Sequence, residues 1–75
     1  MNIASEQCLA ARDLLKWSRI DLARAAGVSQ STVYTFERGA APQSGWVLAV
    51  LRSTLEAAGI EFNDMGGVRL REGKP

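Results

Sequence analysis

Arg19-Ile20-Asp21-Leu22-Ala23-Arg24-Ala25-Ala26-Gly27-Val28-Ser29-Gln30-Ser31-Thr32-Val33-Tyr34-Thr35-Phe36-Glu37-Arg38 reads as two short helices broken at one glycine. Leu22, Ala23, Ala26, Gly27, Val28, Val33 and Phe36 put apolar or small residues at the spacings that let two helices cross steeply over a tight turn. Ala23 is small where the helices come closest, and Gly27 can take the left-handed conformation that ends a helix. Leu22, Ala26, Val28, Val33 and Phe36 can fill the interior the two helices share. Ser18 with Asp21 three residues on makes a capping-box-like start, and Ser29 is a good cap for the helix after the turn. The pattern predicts helices over about 19–26 and 30–38, with Gly39 closing the second.

Working outward, Ala4, Cys8, Ala11 and Leu15 recur at helical spacing with Leu14 beside them, while Glu6, Asp13 and Lys16 fall on the far side. This predicts a helix over about 5–17, with Ser5 as its cap. On the other side, Pro42 disfavours helical geometry in the residue before it, so Ala40 to Gln43 read as a loop. Leu48, Leu51, Leu55 and Ala58 then give a buried stripe over about 44–58, with Gly59 as the stop. Beyond Gly59 the period becomes two: Ile60 and Phe62 flank Glu61, Val68 and Leu70 flank Arg69, and Asn63 to Gly67 is turn chemistry. The expectation is one domain over 1–71, all-α in class: a compact four-helix unit with a short C-terminal β-hairpin at about 60–70. A disordered tail over 72–75 follows.

Composition narrows the function. The 75 residues are 47% hydrophobic and 23% charged, an ordinary balance for a globule and too apolar for a disordered chain. The chain has no histidine, which removes histidine-based nucleophile arrangements, histidine zinc sites and the commonest general base. Asp13, Asp21, Glu37 and Glu56 are spread over different helices without a recognisable acid-base pair, and Ser18, Ser29 and Ser44 read as caps. An enzyme is therefore disfavoured, and neither a metal nor a cofactor is expected. The single Cys8 forms no internal disulfide, and a small secreted fold would need such staples, so a cytoplasmic setting is expected. Charges interrupt the N-terminal region before a signal core could form, and the longest uncharged run, Gly39 to Leu51, is well short of the roughly 20 apolar residues of a membrane span. Nine Lys and Arg against eight Asp and Glu leave a net charge of +1, so nucleic-acid binding depends on where the cations sit.

From Cys8 to Gly59, including the Phe36-Glu37-Arg38-Gly39 ending and the long fourth helix, the chain resembles the Cro and phage-repressor-like helix-turn-helix family, the XRE-type transcriptional regulators. The resemblance implies sequence-specific binding to double-stranded DNA. The residues agree with it. With Val33 and Phe36 inward, Gln30, Ser31, Tyr34, Thr35 and Arg38 form the outward stripe of the third helix, and that stripe carries no acid. Glutamine can pair with an adenine edge, hydroxyls meet several bases, and a helix fits the major groove. A solvated face is the competing reading, but such a face would be expected to intersperse Lys and Glu, not an amide, hydroxyls and an aromatic ring. By similarity to the family, Gln30, Ser31 and Thr35 are the base-contact candidates, with Tyr34 between base and backbone. Arg19, Ser29 and Arg38 are the phosphate contacts, and Lys16 and Arg24 are weaker candidates explained equally well as solvated charges.

The resemblance also implies a partly buried ion pair between Arg12 and Glu37, joining the first and third helices. Two unrelated surface charges are the alternative. Cys8 lies on the apolar face and reads as a small core residue, and Trp17 as cover for the helix junction. Trp46, Val50 and Ala57 share a face opposite the core stripe of the fourth helix, either covered by the hairpin or the 40–43 loop, or used as a homodimer contact. The leading reading is a DNA-binding transcriptional regulator. Its rivals are an antitoxin-like autoregulator that also binds a protein partner, and a protein-interaction module that has lost DNA reading.

Overall fold

In the computed structural model, which describes residues 3–39 and 45–71, the chain runs α1 (Ser5–Leu15), α2 (Arg19–Ala26), α3 (Gln30–Glu37), α4 (Gly45–Ala57), β1 (Ile60–Phe62) and β2 (Val68–Leu70). The fold is mainly helical, with the antiparallel hairpin at its C-terminal side. The loop expected over 40–43, the start of the fourth helix at Ser44 and the tail over 72–75 lie outside the described residues.

α2 packs on α3, with α2 leaning on α4 and α3 on α1. Leu22, Ala23, Val33 and Phe36 meet Cys8, Ala11, Val47, Leu51, Leu55, Ile60 and Ile3 in one buried cluster, with Trp17, Ala26 and Val28 packed half-buried around it. Complete burial of Leu22, Leu51 and Leu55 supplies about 1.5–3 kcal/mol each. The Ser18–Asp21 capping box is formed in both directions, at 2.8 and 3.1 Å. Gly27 closes α2 at φ 74°, a left-handed conformation that its missing side chain tolerates, and its N–H bonds the Ala23 carbonyl at 2.9 Å. Ser29 Oγ then accepts the Thr32 N–H at 3.1 Å and starts α3.

The first helix differs from its sequence reading at both ends. It stops at Leu15, two residues short of 17, because Lys16 turns left-handed (φ 60°, ψ 39°) and the Trp17 N–H bonds back to the Arg12 carbonyl at 2.9 Å. The turn brings Trp17 against the core. At its start, Ala4 holds the cap position in place of Ser5, and the Gln7 side chain accepts the Ala4 N–H at 2.8 Å. Ala4 is exposed, Leu14 is 40% exposed and Leu15 half-buried, while Ile3 and Gln7 are buried. The hairpin accounts for the burial near the helix start: β2 packs against α1, and Gln7 Nε2 reaches the Gly67 carbonyl at 3.4 Å.

The other helices show smaller departures. α3 ends at Glu37, one residue before 38, with Arg38 as its C-cap. On α4, Val47 joins Leu51 and Leu55 in the core, whereas Leu48 and Ala58 are half-buried. The hairpin pairs Ile60 with Leu70, Glu61 with Arg69 and Phe62 with Val68. Asn63 Oδ1 ties its turn by accepting the Met65 and Gly67 N–H groups at 2.9 and 2.8 Å. Its far end is fixed to α4, where the Arg71 N–H bonds the Gly59 carbonyl and the Arg71 guanidinium reaches the Glu56 carbonyl at 3.1 Å.

Candidate nucleic-acid interface

The burial of Val33 and Phe36 decides which way α3 faces. With both turned into the core, Gln30, Ser31, Tyr34, Thr35 and Arg38 are all exposed, and no Asp or Glu stands among them. Glu37 is the one acid of α3, and it points the other way. Its side chain is 5% exposed and takes a two-pronged grip from Arg12: Nε donates to Oε2 at 2.7 Å and Nη2 to Oε1 at 3.0 Å. The remaining guanidinium nitrogen, Nη1, donates to the Trp17 carbonyl at 2.8 Å. Arg12 on α1 thereby ties the end of α3 to the corner from which α2 departs, so the pair sets the outer helices relative to each other. It also turns inward the one carboxylate α3 carries.

Cys8 lies directly beneath this pair, its thiol 3.9 Å from Glu37 Oε2. Burial first, and then the Glu37 charge, push the thiol from 9.0 up to about 12, so it is held as a neutral core group. The hydrogen bond it donates to Glu37 raises the Arg12 guanidinium above its ordinary value. Among the described residues every buried side-chain nitrogen and oxygen has a hydrogen-bond partner.

A net charge of +1 conceals a segregation of cations. Arg12, Arg52, Arg69 and Arg71 each face a carboxylate, at 2.7, 2.9, 2.8 and 3.7 Å. Lys16, Arg19, Arg24 and Arg38 form no ion pair among the described residues, and all four fall between the end of α1 and the end of α3. Among the described residues, the cations outside ion pairs are thus concentrated on the helix-turn-helix and the corner before it.

Of the residues named from sequence, the structure brings Arg19, Tyr34 and Arg38 into contact. The Arg19 guanidinium lies 4.8 Å over the Tyr34 ring centroid and that of Arg38 lies 5.4 Å over it. Arg38 Nη1 also sits 3.5 Å from the Tyr34 hydroxyl. Gln30, Ser31 and Thr35 stand exposed on the same helix. Ser29 is committed as a cap, its hydroxyl also 2.9 Å from that of Thr32, and Lys16 occupies the left-handed corner after α1. Trp46 is 59% exposed, Ala57 exposed and Val50 half-buried, so the packed hairpin leaves the tryptophan open. The Arg19–Tyr34 contact escaped the sequence reading because its partners are 15 positions apart. The Arg38–Tyr34 contact, at helical i, i+4 spacing, was there to be found.

Among the described residues no helix is long and apolar enough to cross a membrane. No curated protein matches the chain. The helix-turn-helix family model matches residues 9–45, from the second turn of α1 to the first residue of α4, and so covers both helices of the motif and the pair that braces them. That family is one of DNA-binding regulatory domains and not of enzymes. With its capped crossing helices, buried brace and acid-free outer face, the chain belongs over these residues to the Cro and phage-repressor-like, XRE-type helix-turn-helix family of DNA-binding regulators.

Proposed function

We propose that the protein is a sequence-specific transcriptional regulator that lays α3 in the major groove of double-stranded DNA. The observation that carries this reading is the outer face of α3: an amide, two hydroxyls and a ring, all exposed, with the only carboxylate of the helix turned inward. Gln30, Ser31 and Thr35 meet base edges, where the glutamine amide suits an adenine and the threonine methyl a thymine methyl. Arg19, Ser29, Arg38 and Lys16 serve the phosphates, the first three at helix ends that border the groove.

A module with three to five phosphate contacts, roughly, binds weakly at physiological salt, because much of its affinity is released counterion. Two copies joined through the exposed Trp46, with Val50 and Ala57 beside it, would place their α3 helices about 34 Å apart on a near-palindromic site. Sedimentation over a range of protein concentrations, with Trp46→Ser as control, reads this directly. A monomer at every concentration, bound to DNA as a monomer, removes the dimer from the proposal.

Selection from random duplexes, followed by titration of selected and random DNA at two salt concentrations, tests the main reading. The expected result is an enriched sequence bound at least about a thousandfold more tightly than random DNA. Failure to enrich any sequence would leave an interaction module that kept the fold and lost base reading.

A further inference from the structure

We infer that Tyr34 is a positioning residue, its ring the shared platform that holds Arg19 from the start of α2 and Arg38 from the end of α3 as one two-cation phosphate clamp. The inference rests on the reading of α3 as the DNA-facing helix and assigns a task within it. Both guanidinium groups lie over the ring, at 4.8 and 5.4 Å from its centroid, although they come from opposite ends of the motif. Neither has a carboxylate partner among the described residues.

That combination has a physical logic. A free arginine samples many rotamers, and ordering one on a phosphate subtracts from affinity. A neighbouring carboxylate would order it too, as Glu56 does for Arg52 and Glu61 for Arg69, but would cancel the charge the phosphate needs. An aromatic face attracts the guanidinium through its quadrupole, adds no compensating charge and leaves edge N–H groups to meet an oxyanion. Tyr34 therefore orients two cations without neutralising them. It also couples them: a shift of α2 against α3 would disturb both. With two guanidinium groups over it, the ring serves the backbone grip and the base reading falls to Gln30, Ser31 and Thr35.

The test measures affinity for selected and random duplexes over a series of salt concentrations, for wild type, Tyr34→Ala, Tyr34→Phe, Arg19→Ala/Arg38→Ala and the triple variant that adds Tyr34→Ala. Because Tyr34 is 43% exposed, Tyr34→Ala should keep the wild-type melting midpoint. It is expected to weaken both duplexes alike, about tenfold, and to flatten the log–log salt slope by about 1 to 2. Tyr34→Phe keeps the aromatic face and should stay within about twofold of wild type. In the Arg19→Ala/Arg38→Ala background Tyr34→Ala should cost nothing more. The clamp is overturned if Tyr34→Ala weakens the selected duplex alone, if it costs the same fold with both arginines gone, or if Tyr34→Phe falls as far as Tyr34→Ala. NMR of the free protein gives an arm independent of DNA: ring-current shifts of the Arg19 and Arg38 side chains should persist in Tyr34→Phe and vanish in Tyr34→Ala, and their absence from wild type overturns the contact itself. A wild type without salt-dependent duplex binding sinks the DNA reading, whatever the NMR shows of the contact.

Discussion

Arg12 and Arg38 both lie against α3, one beneath the helix and one at its end, and they differ in what faces them. Arg12 is 12% exposed at its side chain and spends every nitrogen inside the protein, two on Glu37 and one on the Trp17 carbonyl. Arg38 is exposed, faces an aromatic ring, and has no acid within reach among the described residues. The same side chain thus serves as a brace where a carboxylate fixes it and as an available cation where only a π-face does. A sum over charges cannot show this difference, and the net charge of +1 says little about the binding face.

The largest expected effect comes from breaking the brace. Glu37→Ala leaves a mostly buried guanidinium without its partner and should cost about 3–5 kcal/mol in denaturant unfolding. A loss below about 1 kcal/mol would mean the pair is no more than a surface contact. The thiol beneath it gives a pH test of the same region. Its folded value of about 12 lies above the ordinary 9.0, so the folded state holds the proton more tightly. The associated stability is complete below about pH 9 and is lost as pH rises toward 12, at no more than about 1.4 kcal/mol per pH unit. Cys8→Ala should lack this alkaline decline, and parallel curves for the two proteins between about pH 8 and pH 11 would contradict it.

On the open side of the helix the effects move from stability to binding. Gln30→Ala should weaken the selected duplex by about 1–3 kcal/mol and relax base preference, read by titrating it against single-base variants. Equal losses on every sequence would take Gln30 out of base reading. Ser18→Ala removes the hydroxyl that caps α2 and should lower stability by about 1 kcal/mol, seen as a lower thermal midpoint. Arg38→Ala should have the smallest effect on stability, within about 0.5 kcal/mol, while reducing the salt slope of binding by about 1. If instead it destabilised the fold as Glu37→Ala does, the contrast between the two arginines would disappear.

Much of the motif was legible because its signals are local. The Ser18–Asp21 box, the left-handed Gly27, the Ser29 cap and the inward Val33 and Phe36 each follow from neighbours within one or two helical turns. The hairpin was legible for the same reason, a period of two on either side of a turn-rich segment. The first helix was read less well. Ile3 and Gln7 are buried because the hairpin, some 60 positions away, covers the N-terminal part of α1, while Leu14, two turns further on, is left exposed. On α4, Val47 took the buried place expected for Leu48, since one step of helical rotation separates the two and only the packed neighbours choose between them.

Periodicity, caps and turn residues, set by forces within a few bonds of each residue, were enough to determine the crossing helices, the hairpin and the acid-free character of the outward stripe. The tertiary structure alone decided that Arg19 and Arg38 share the Tyr34 ring and that, among the described residues, the cations outside ion pairs collect around the helix-turn-helix, and it gave the Arg12–Glu37 pair, implied by the family resemblance, its two-pronged geometry. Each of those outcomes joins groups brought together only by packing, and the strength of a charge depends on what stands opposite it and how much water lies between.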